Sequence, residues 1–321
     1  MKRALICGIS GQDGAYLARF LLDKGYLVFG TSRNVASANL DKLDQLGIRA
    51  RVTLTSATLT DFRSILRALA DVNPVEVYNL SGQSSVGLSF DQPVETIESI
   101  TVSTINVLEA IRFLDRGIRF YNAGSSECFG ETGSLAASET TPFQPRSPYG
   151  VAKSAAHWIV RNYREAYGVF ACSGILFNHE SPLRPRQFVT QKIIGGAVAI
   201  KQGKLDKLTL GSLEITRDWG WAPEYVDAMW RMLQLDEPED FVVATGVAHS
   251  LSDFIDCAFS AVDLDWRDYV VIDSAAFRPL DITYNCGNAA KAEAVLGWRA
   301  TLTMPTIVGR MIAARLALGG Q

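Results

Sequence analysis

A chain of 321 residues is too long for one small core and suits either two domains or one large α/β domain with an appended lobe. Its composition, 48% hydrophobic and 20% charged, is that of an ordinary globular protein, and a net charge of −3 supplies no basic field to attract nucleic acid. No run approaches the ~18 apolar residues of a membrane helix, Lys2-Arg3 precede too short an apolar run for a signal peptide, and His157, His179 and His249 stand too far apart to predict a metal site.

In chain order, Arg3 to Cys7 predicts a buried strand. Gly8-Ile-Ser-Gly11-Gln-Asp-Gly14 follows, and Ala15 to Lys24 then has the helical spacing of Leu17, Phe20 and Leu21. Strand, glycine turn and helix in this order are the context that a dinucleotide fingerprint requires. The helix N-terminus and the bare backbone of Gly8, Gly11 and Gly14 suit a pyrophosphate, the alternative being a tight turn without a ligand. Tyr26 to Thr31 predicts the second strand, with Ser32-Arg33 just past it. NAD sites usually place an acid here, whereas an arginine suits the 2′-phosphate of NADP, unless it simply faces solvent.

Arg51 to Thr55, Val75 to Leu80 and Arg119 to Ala123 predict further strands, with helices over Phe62 to Leu69 and Val94 to Leu114 between them. This alternation argues a doubly wound parallel α/β sheet of the Rossmann kind. Pro148 opens a helix that runs to about Tyr167, with Ser147 as its N-cap, and Val169 to Phe177 predicts the sixth strand. Ligands of such sheets bind at the carboxyl ends of the strands. Ser81-Gly82-Gln83-Ser84, Ser125 to Glu127 and Asn178-His179 all fall at such ends and so share one rim.

On the helix from Pro148, Tyr149 and Lys153 are four apart and lie on one face. An ammonium that close is expected to lower the tyrosine pKa from about 10 toward neutrality, where it can take a proton from a sugar hydroxyl. Ser125 can hydrogen-bond the same hydroxyl, and Glu127 offers a second acid/base. A Tyr-x-x-x-Lys pair alone also arises as a half-buried tyrosine beside a solvated lysine, so it gains weight only from the glycine turn upstream.

After Phe177 the elements shorten and Pro182, Pro185 and Pro223 punctuate them. The expected division is a dinucleotide domain of residues 1–177 plus about 223–245, the latter a helix and the strand Phe241 to Thr245. A smaller mixed α/β lobe takes 178–222 and 246–321. Lys192, Arg217 and Arg278 in the lobe suit a diphosphate, or else ordinary surface charge. Cys7, Cys128, Cys172, Cys257 and Cys286, odd in number and with no Cys-x-x-Cys, are expected as reduced thiols in the cytoplasm.

The stretches GISGQDGAY from Gly8, VYNLSGQS from Val77, SPYGVAK from Ser147, GILFNHESP from Gly174, FVTQKI from Phe188, RDWG from Arg217 and LGW from Leu296 span nearly the whole chain. On them the chain resembles the extended short-chain dehydrogenase/reductases, most closely the GDP-mannose 4,6-dehydratases. The resemblance implies a catalytic group of Ser125, Glu127, Tyr149 and Lys153, with Ser125 where the family has threonine. It implies NADP contacts at Gly8, Gly11, Gln12, Asp13, Gly14, Arg33, Tyr149, Lys153, His179 and Arg184. GDP-sugar contacts are implied at Ser84, Asn178, Lys192, Arg217, Arg278 and Asp281, and assembly as a homodimer or homotetramer. The chain departs from the family in Asn34, where a second arginine is usual, in Thr58 for an aspartate facing the adenine, in Ser81-Gly82 for two alanines, and in Asp281 for a glutamate. The expected reaction converts GDP-mannose to GDP-4-keto-6-deoxy-mannose with internally recycled NADP. The alternatives are the same reaction on GDP-mannoheptose, a reductase or epimerase of the same fold, and a non-catalytic dinucleotide sensor.

Overall fold

Short aliphatic runs alternating with amphipathic segments bury both faces of a parallel sheet, and the N-terminal half folds accordingly. The structure is a computed structural model that describes residues 1–273 and 280–319. In chain order it contains β1 (Arg3–Cys7), α1 (Gln12–Asp23), β2 (Leu27–Ser32), α2 (Asp41–Gln45), β3 (Val52–Ser56), α3 (Phe62–Val72), β4 (Glu76–Asn79), α4 (Val86–Asp91), α5 (Pro93–Ile97), α6 (Ser103–Leu114), β5 (Arg119–Ala123), α7 (Pro148–Tyr167) and β6 (Ala171–Leu176). There follow β7 (Asn178–Glu180), α8 (Val189–Lys201), β8 (Leu208–Leu210), β9 (Thr216–Trp221), α9 (Ala222–Met232), β10 (Phe241–Val243), β11 (Ala248–Ser250), α10 (Leu251–Ser260), β12 (Val270–Ile272), β13 (Tyr284–Asn285), α11 (Ala290–Leu296) and α12 (Met304–Gly319).

Seven strands form one parallel sheet in the order β10-β6-β5-β4-β1-β2-β3. Leu17 and Leu21 of α1 and Met229 of α9 cover one face; Ile65 of α3, Val107 and Ile111 of α6 and Val160 of α7 cover the other. The chain winds outward from β1 to β3, then restarts at β4 and winds the other way. The reversal between β1 and β4 opens the crevice that such sheets use for ligands.

Two elements differ from expectation. The helix expected over Val94 to Leu114 is broken by a π-helical turn, Glu98–Val102, between α5 and α6. Hydroxyls compete for backbone carbonyls there: Thr104 Oγ1 donates to Ile100 O at 2.7 Å and Ser99 Oγ to Thr96 O at 3.3 Å. The strand expected over Phe241 to Thr245 stops at Val243, because Thr245 turns both its N–H (3.0 Å) and its hydroxyl (2.6 Å) to Asp218 Oδ1.

The smaller lobe has a mixed sheet in which β9 pairs with β7, β11 and β13, and a parallel pair of β8 with β12. Its core joins Ile193 and Ala197 of α8, Trp219 of β9, Phe254 of α10 and Ile307 and Met311 of α12. Among the described residues no helix is long and apolar enough to cross a membrane.

Candidate active site

The glycine turn is shaped by close approach. Gly8 has φ +88°, and a Cβ there would lie 2.7 Å from Leu80 O. A Cβ on Gly14 would lie 2.3 Å from Gly8 O, so α1 can begin this close to the turn only with glycine. Gly11 is the N-cap of α1 and no side chain caps this helix. The uncapped helix start at the carboxyl end of β1 therefore fits the pyrophosphate of a dinucleotide.

The side chains behind this turn engage one another. Gln12 Nε2 donates to Asp13 Oδ1 (3.0 Å) and His179 O (3.2 Å), and Ser181 Oγ donates to Gln12 Oε1 (2.7 Å). His179 lies between two acceptors, with Nδ1 2.7 Å from Phe177 O and Nε2 2.8 Å from Asp13 Oδ2. Burial pulls His179 down, but the charge and hydrogen bond of Asp13 outweigh it and raise the imidazole above its ordinary value. Burial likewise pushes Asp13 up, and His179, Gln12 and Arg184 more than reverse this, holding the carboxyl below its usual range. The pair joins α1 to β7, each partner favouring the charged form of the other, and Tyr225 of α9 stacks on the imidazole at 4.6 Å. Arg184 stacks over Phe188 at 3.8 Å, with Nε 3.6 Å from Glu180 Oε2.

On the other side of the crevice, Ser147 caps α7 by accepting from Gly150 N at 3.0 Å, with Pro148 in the first turn, as the sequence predicts. This sets Tyr149, 9% exposed, at the helix start. Ser125 caps the 3-10 turn Ser126–Cys128 that follows β5, accepting from Glu127 N at 3.3 Å. Lys153, 8% exposed, donates from Nζ to Ala123 O at 2.7 Å, and the ammonium lies 5.8 Å from the centre of the Tyr149 ring. Burial lowers Lys153 to about 8, opposed by Cys128 and Asp13.

The expected lowering of Tyr149 by Lys153 is not what the structure holds. Burial is the largest influence and pushes the phenol well above its ordinary value; the nearby charge of Glu127 adds to the rise. The Ser125 hydroxyl and the Arg184 charge act the other way. The reason is geometric: the ammonium is committed to a carbonyl of β5, and the hydroxyl of Ser125 is the group that favours the phenolate most. Ser125, Glu127 and Arg184 nonetheless all act on the one phenol of Tyr149.

The remaining predicted positions divide. Arg217, 4% exposed, places Nη2 3.1 Å from Asp281 Oδ1 and donates from Nη1 to Thr216 O at 3.0 Å. Ser84, in the loop after β4, and Lys192, in the first turn of α8, are exposed, and Asn178 is half-buried where β7 meets β9. Arg33 is exposed just past β2. Asn34 caps the 3-10 turn Val35–Ser37, accepting from Ala36 N at 3.0 Å. Arg278 lies outside the described residues.

Sequence reasoning missed Asp218, fully buried, whose carboxylate also accepts from Gly246 N at 2.9 Å and ties β9 to the end of β10. The RDWG stretch contained it, but only the arginine was read as functional. It also missed Glu131 and Asn285, which tie the Ser126–Cys128 turn and the loop after it to β13 and its approach.

This fold, with the glycine turn and a Ser/Tyr/Lys group at one crevice, defines a dinucleotide-binding short-chain dehydrogenase/reductase of the epimerase and dehydratase type. A UDP-glucose 4-epimerase of Thermus thermophilus, solved with NAD, shares the fold at a TM-score of 0.85 and 22% identity over 98% of this chain and 99% of its own. RMD from Pseudomonas aeruginosa, solved with NADPH, does so at 0.81 and 20% over 99% and 100%. The family described as GDP-mannose 4,6 dehydratase matches residues 5–311. GDP-mannose 4,6 dehydratase 2 of Arabidopsis thaliana is 47% identical over 99% of this chain and 87% of its own. The chain belongs to the GDP-mannose 4,6-dehydratase family, and its activity is that of a hydro-lyase on GDP-mannose.

Proposed function

We propose that Ser125, Glu127, Tyr149 and Lys153 carry out this dehydration and that the dinucleotide is NADP, returned unchanged after each turnover. Tyr149 takes the proton of the C4 hydroxyl, and Ser125 bridges the phenol and O4. A dinucleotide held at the glycine turn of Gly8, Gly11 and Gly14 would supply a reversible hydride acceptor for C4 and C6. Lys153 places positive charge beneath the Tyr149 ring. The C4 ketone acidifies the C5 proton, and Glu127 takes it, then protonates the C6 hydroxyl so that it leaves as water; the proton that Tyr149 took from O4 goes to C5 as hydride returns to C6, which restores both side chains. The observation that carries this reading is Glu127 two residues after Ser125 and close enough for its charge to act on Tyr149. A reductase or epimerase needs the serine, tyrosine and lysine but not this acid.

The test is mass spectrometry of GDP-mannose and GDP-mannoheptose incubated side by side with the protein and NADP. Loss of water from GDP-mannose is the expected result; loss from the heptose alone would move the substrate. The heptose belongs in the assay because Asp281, a shorter acid than the family's glutamate, shares its carboxylate with Arg217.

Arg33 supports NADP over NAD, alone rather than as one of a pair, since Asn34 is spent on its cap. Arg33→Ala should weaken NADP by about one to two decades, the worth of a charge-assisted contact, and leave NAD nearly unchanged. Equal losses in a fluorescence titration of both cofactors would remove Arg33 from the phosphate. α5 packs against α7, and both carry exposed apolar residues, Val94 and Ile97 on α5 and Val151 and Trp158 on α7, which supports a homo-oligomer. Five cysteines, none in a disulfide, support a reducing compartment, the cytoplasm.

A further inference from the structure

Glu127 rides on a single 3-10 turn, too short an element to hold its own geometry. The support comes from the smaller lobe. Asn285 of β13, 1% exposed, donates from Nδ2 to the Ser126 carbonyl at 3.4 Å. Its Oδ1 has no hydrogen-bond partner among the described residues. A leucine of similar size would fill this space without stranding an oxygen, but it could not hold the carbonyl next to Glu127.

The loop beyond the turn is fastened to the same strand. Glu131 accepts from Thr283 N (2.7 Å), Thr283 Oγ1 (2.8 Å) and Tyr284 N (3.2 Å). Burial pushes Glu131 up, and these donors outweigh it and keep the carboxylate charged. Ala137 N donates to Cys286 O at 2.9 Å, and Asn288 N to Ala137 O at 2.8 Å. Segment 126–137 is thus laced along 283–288. β13 in turn pairs with β9, and Asn285 stands opposite Arg217.

We propose that Asn285, backed by the Glu131 latch, is a positioning residue for the elimination half of the reaction. It fixes the Ser126 carbonyl and so aims the Glu127 carboxylate at C5 and C6 of a sugar. The diphosphate of that sugar is held on the neighbouring strand by Arg217. This rests on the roles given to Glu127 and Arg217. Tyr149 and Lys153 stand on α7, with Lys153 anchored to β5, and of the oxidising group only Ser125 adjoins the held turn, so oxidation at C4 should depend on the latch less than elimination does.

The experiment compares wild type with N285A, E131A and E131Q on GDP-mannose and NADP in heavy water. It follows C5 deuteration, the 4-keto hexose and the 4-keto-6-deoxy product, with KM measured separately. N285A should lose about 10–100-fold in both product and C5 exchange, as displaced catalytic groups do, while the 4-keto hexose accumulates and KM stays within about two-fold. E131A should show the same partition more weakly, and E131Q, which keeps an oxygen for Thr283, should recover most of the loss. Parallel loss of C4 oxidation and product, a raised KM alone, or an unchanged partition in N285A would overturn the role. If circular dichroism shows N285A unfolded, N285D, of the same shape without the amide donor, is judged by the same outcomes. A wild type that removes no water from GDP-mannose would instead overturn the dehydratase reading and this role with it.

Discussion

Glu127→Gln should bind GDP-mannose, oxidise it at C4 and stop there. The substitution keeps the size and shape of the side chain and removes the base. Tyr149, Ser125 and Lys153 remain on their own elements, held by contacts that do not use the Glu127 carboxylate. The 4-keto hexose nucleotide should therefore build up, detectable by its mass and by the absorbance of the nicotinamide. In heavy water the C5 proton should fail to exchange. Formation of the 6-deoxy product should fall by about 10²–10⁴-fold, the usual loss on removing one positioned acid/base. A second signature follows from electrostatics. The Glu127 charge is one of the influences that push Tyr149 up, so its removal should shift the pH limb of C4 oxidation to lower pH. Exchange at C5 and product formation near the wild-type rate would place the acid/base elsewhere.

The parts of the molecule that could be read from the sequence are those built by local rules. The strand, glycine turn and helix from Arg3 to Asp23, and the Ser147 cap with Pro148 behind it, each follow from a few adjacent residues. Hidden features depend on residues far apart in the chain. Asp13 spends its carboxylate on His179, 166 positions away, and Arg217 meets Asp281 64 positions away. The π-helical turn after α5 escaped because the apolar period runs through it; only the hydroxyls of Ser99 and Thr104 mark it. Asn285 carries no motif at all, and only burial against the Ser126 carbonyl reveals it.

The tyrosine illustrates the limit most directly. Spacing placed Lys153 on the same helix face as Tyr149, and it is there, but spacing says nothing of where an ammonium finds its acceptor. Bonded to Ala123 O, Lys153 serves both the end of β5 and the floor of the site. Burial then governs both residues and moves both toward their neutral forms, the phenol up and the ammonium down to about 8.

Tyr149→Phe should abolish oxidation at C4, with no 4-keto hexose, no C5 exchange and no 6-deoxy product. This separates it in kind from Glu127→Gln, which stops one step later. The pH dependence gives the sign of the chemistry. A proton acceptor works in its deprotonated form, and burial raises Tyr149, so wild-type C4 oxidation should climb as pH rises from neutrality. Lys153 loses its charge near pH 8, which withdraws positive charge from beneath the ring and should flatten that climb above it. Any rate left in Tyr149→Phe should be lower by at least about 10²–10⁴-fold, too slow to accumulate 4-keto hexose, and without the climb. Removing one hydroxyl changes stability by about 1 kcal/mol, so a thermal melt close to wild type should accompany the loss. Dinucleotide binding should persist, because the glycine turn and the start of α1, which suit the pyrophosphate, take their shape from Gly8, Gly11 and Gly14 and not from the phenol. Single-turnover measurements of C4 oxidation across pH check the prediction, and a variant that still oxidised C4 with the wild-type pH limb would assign the proton to another group.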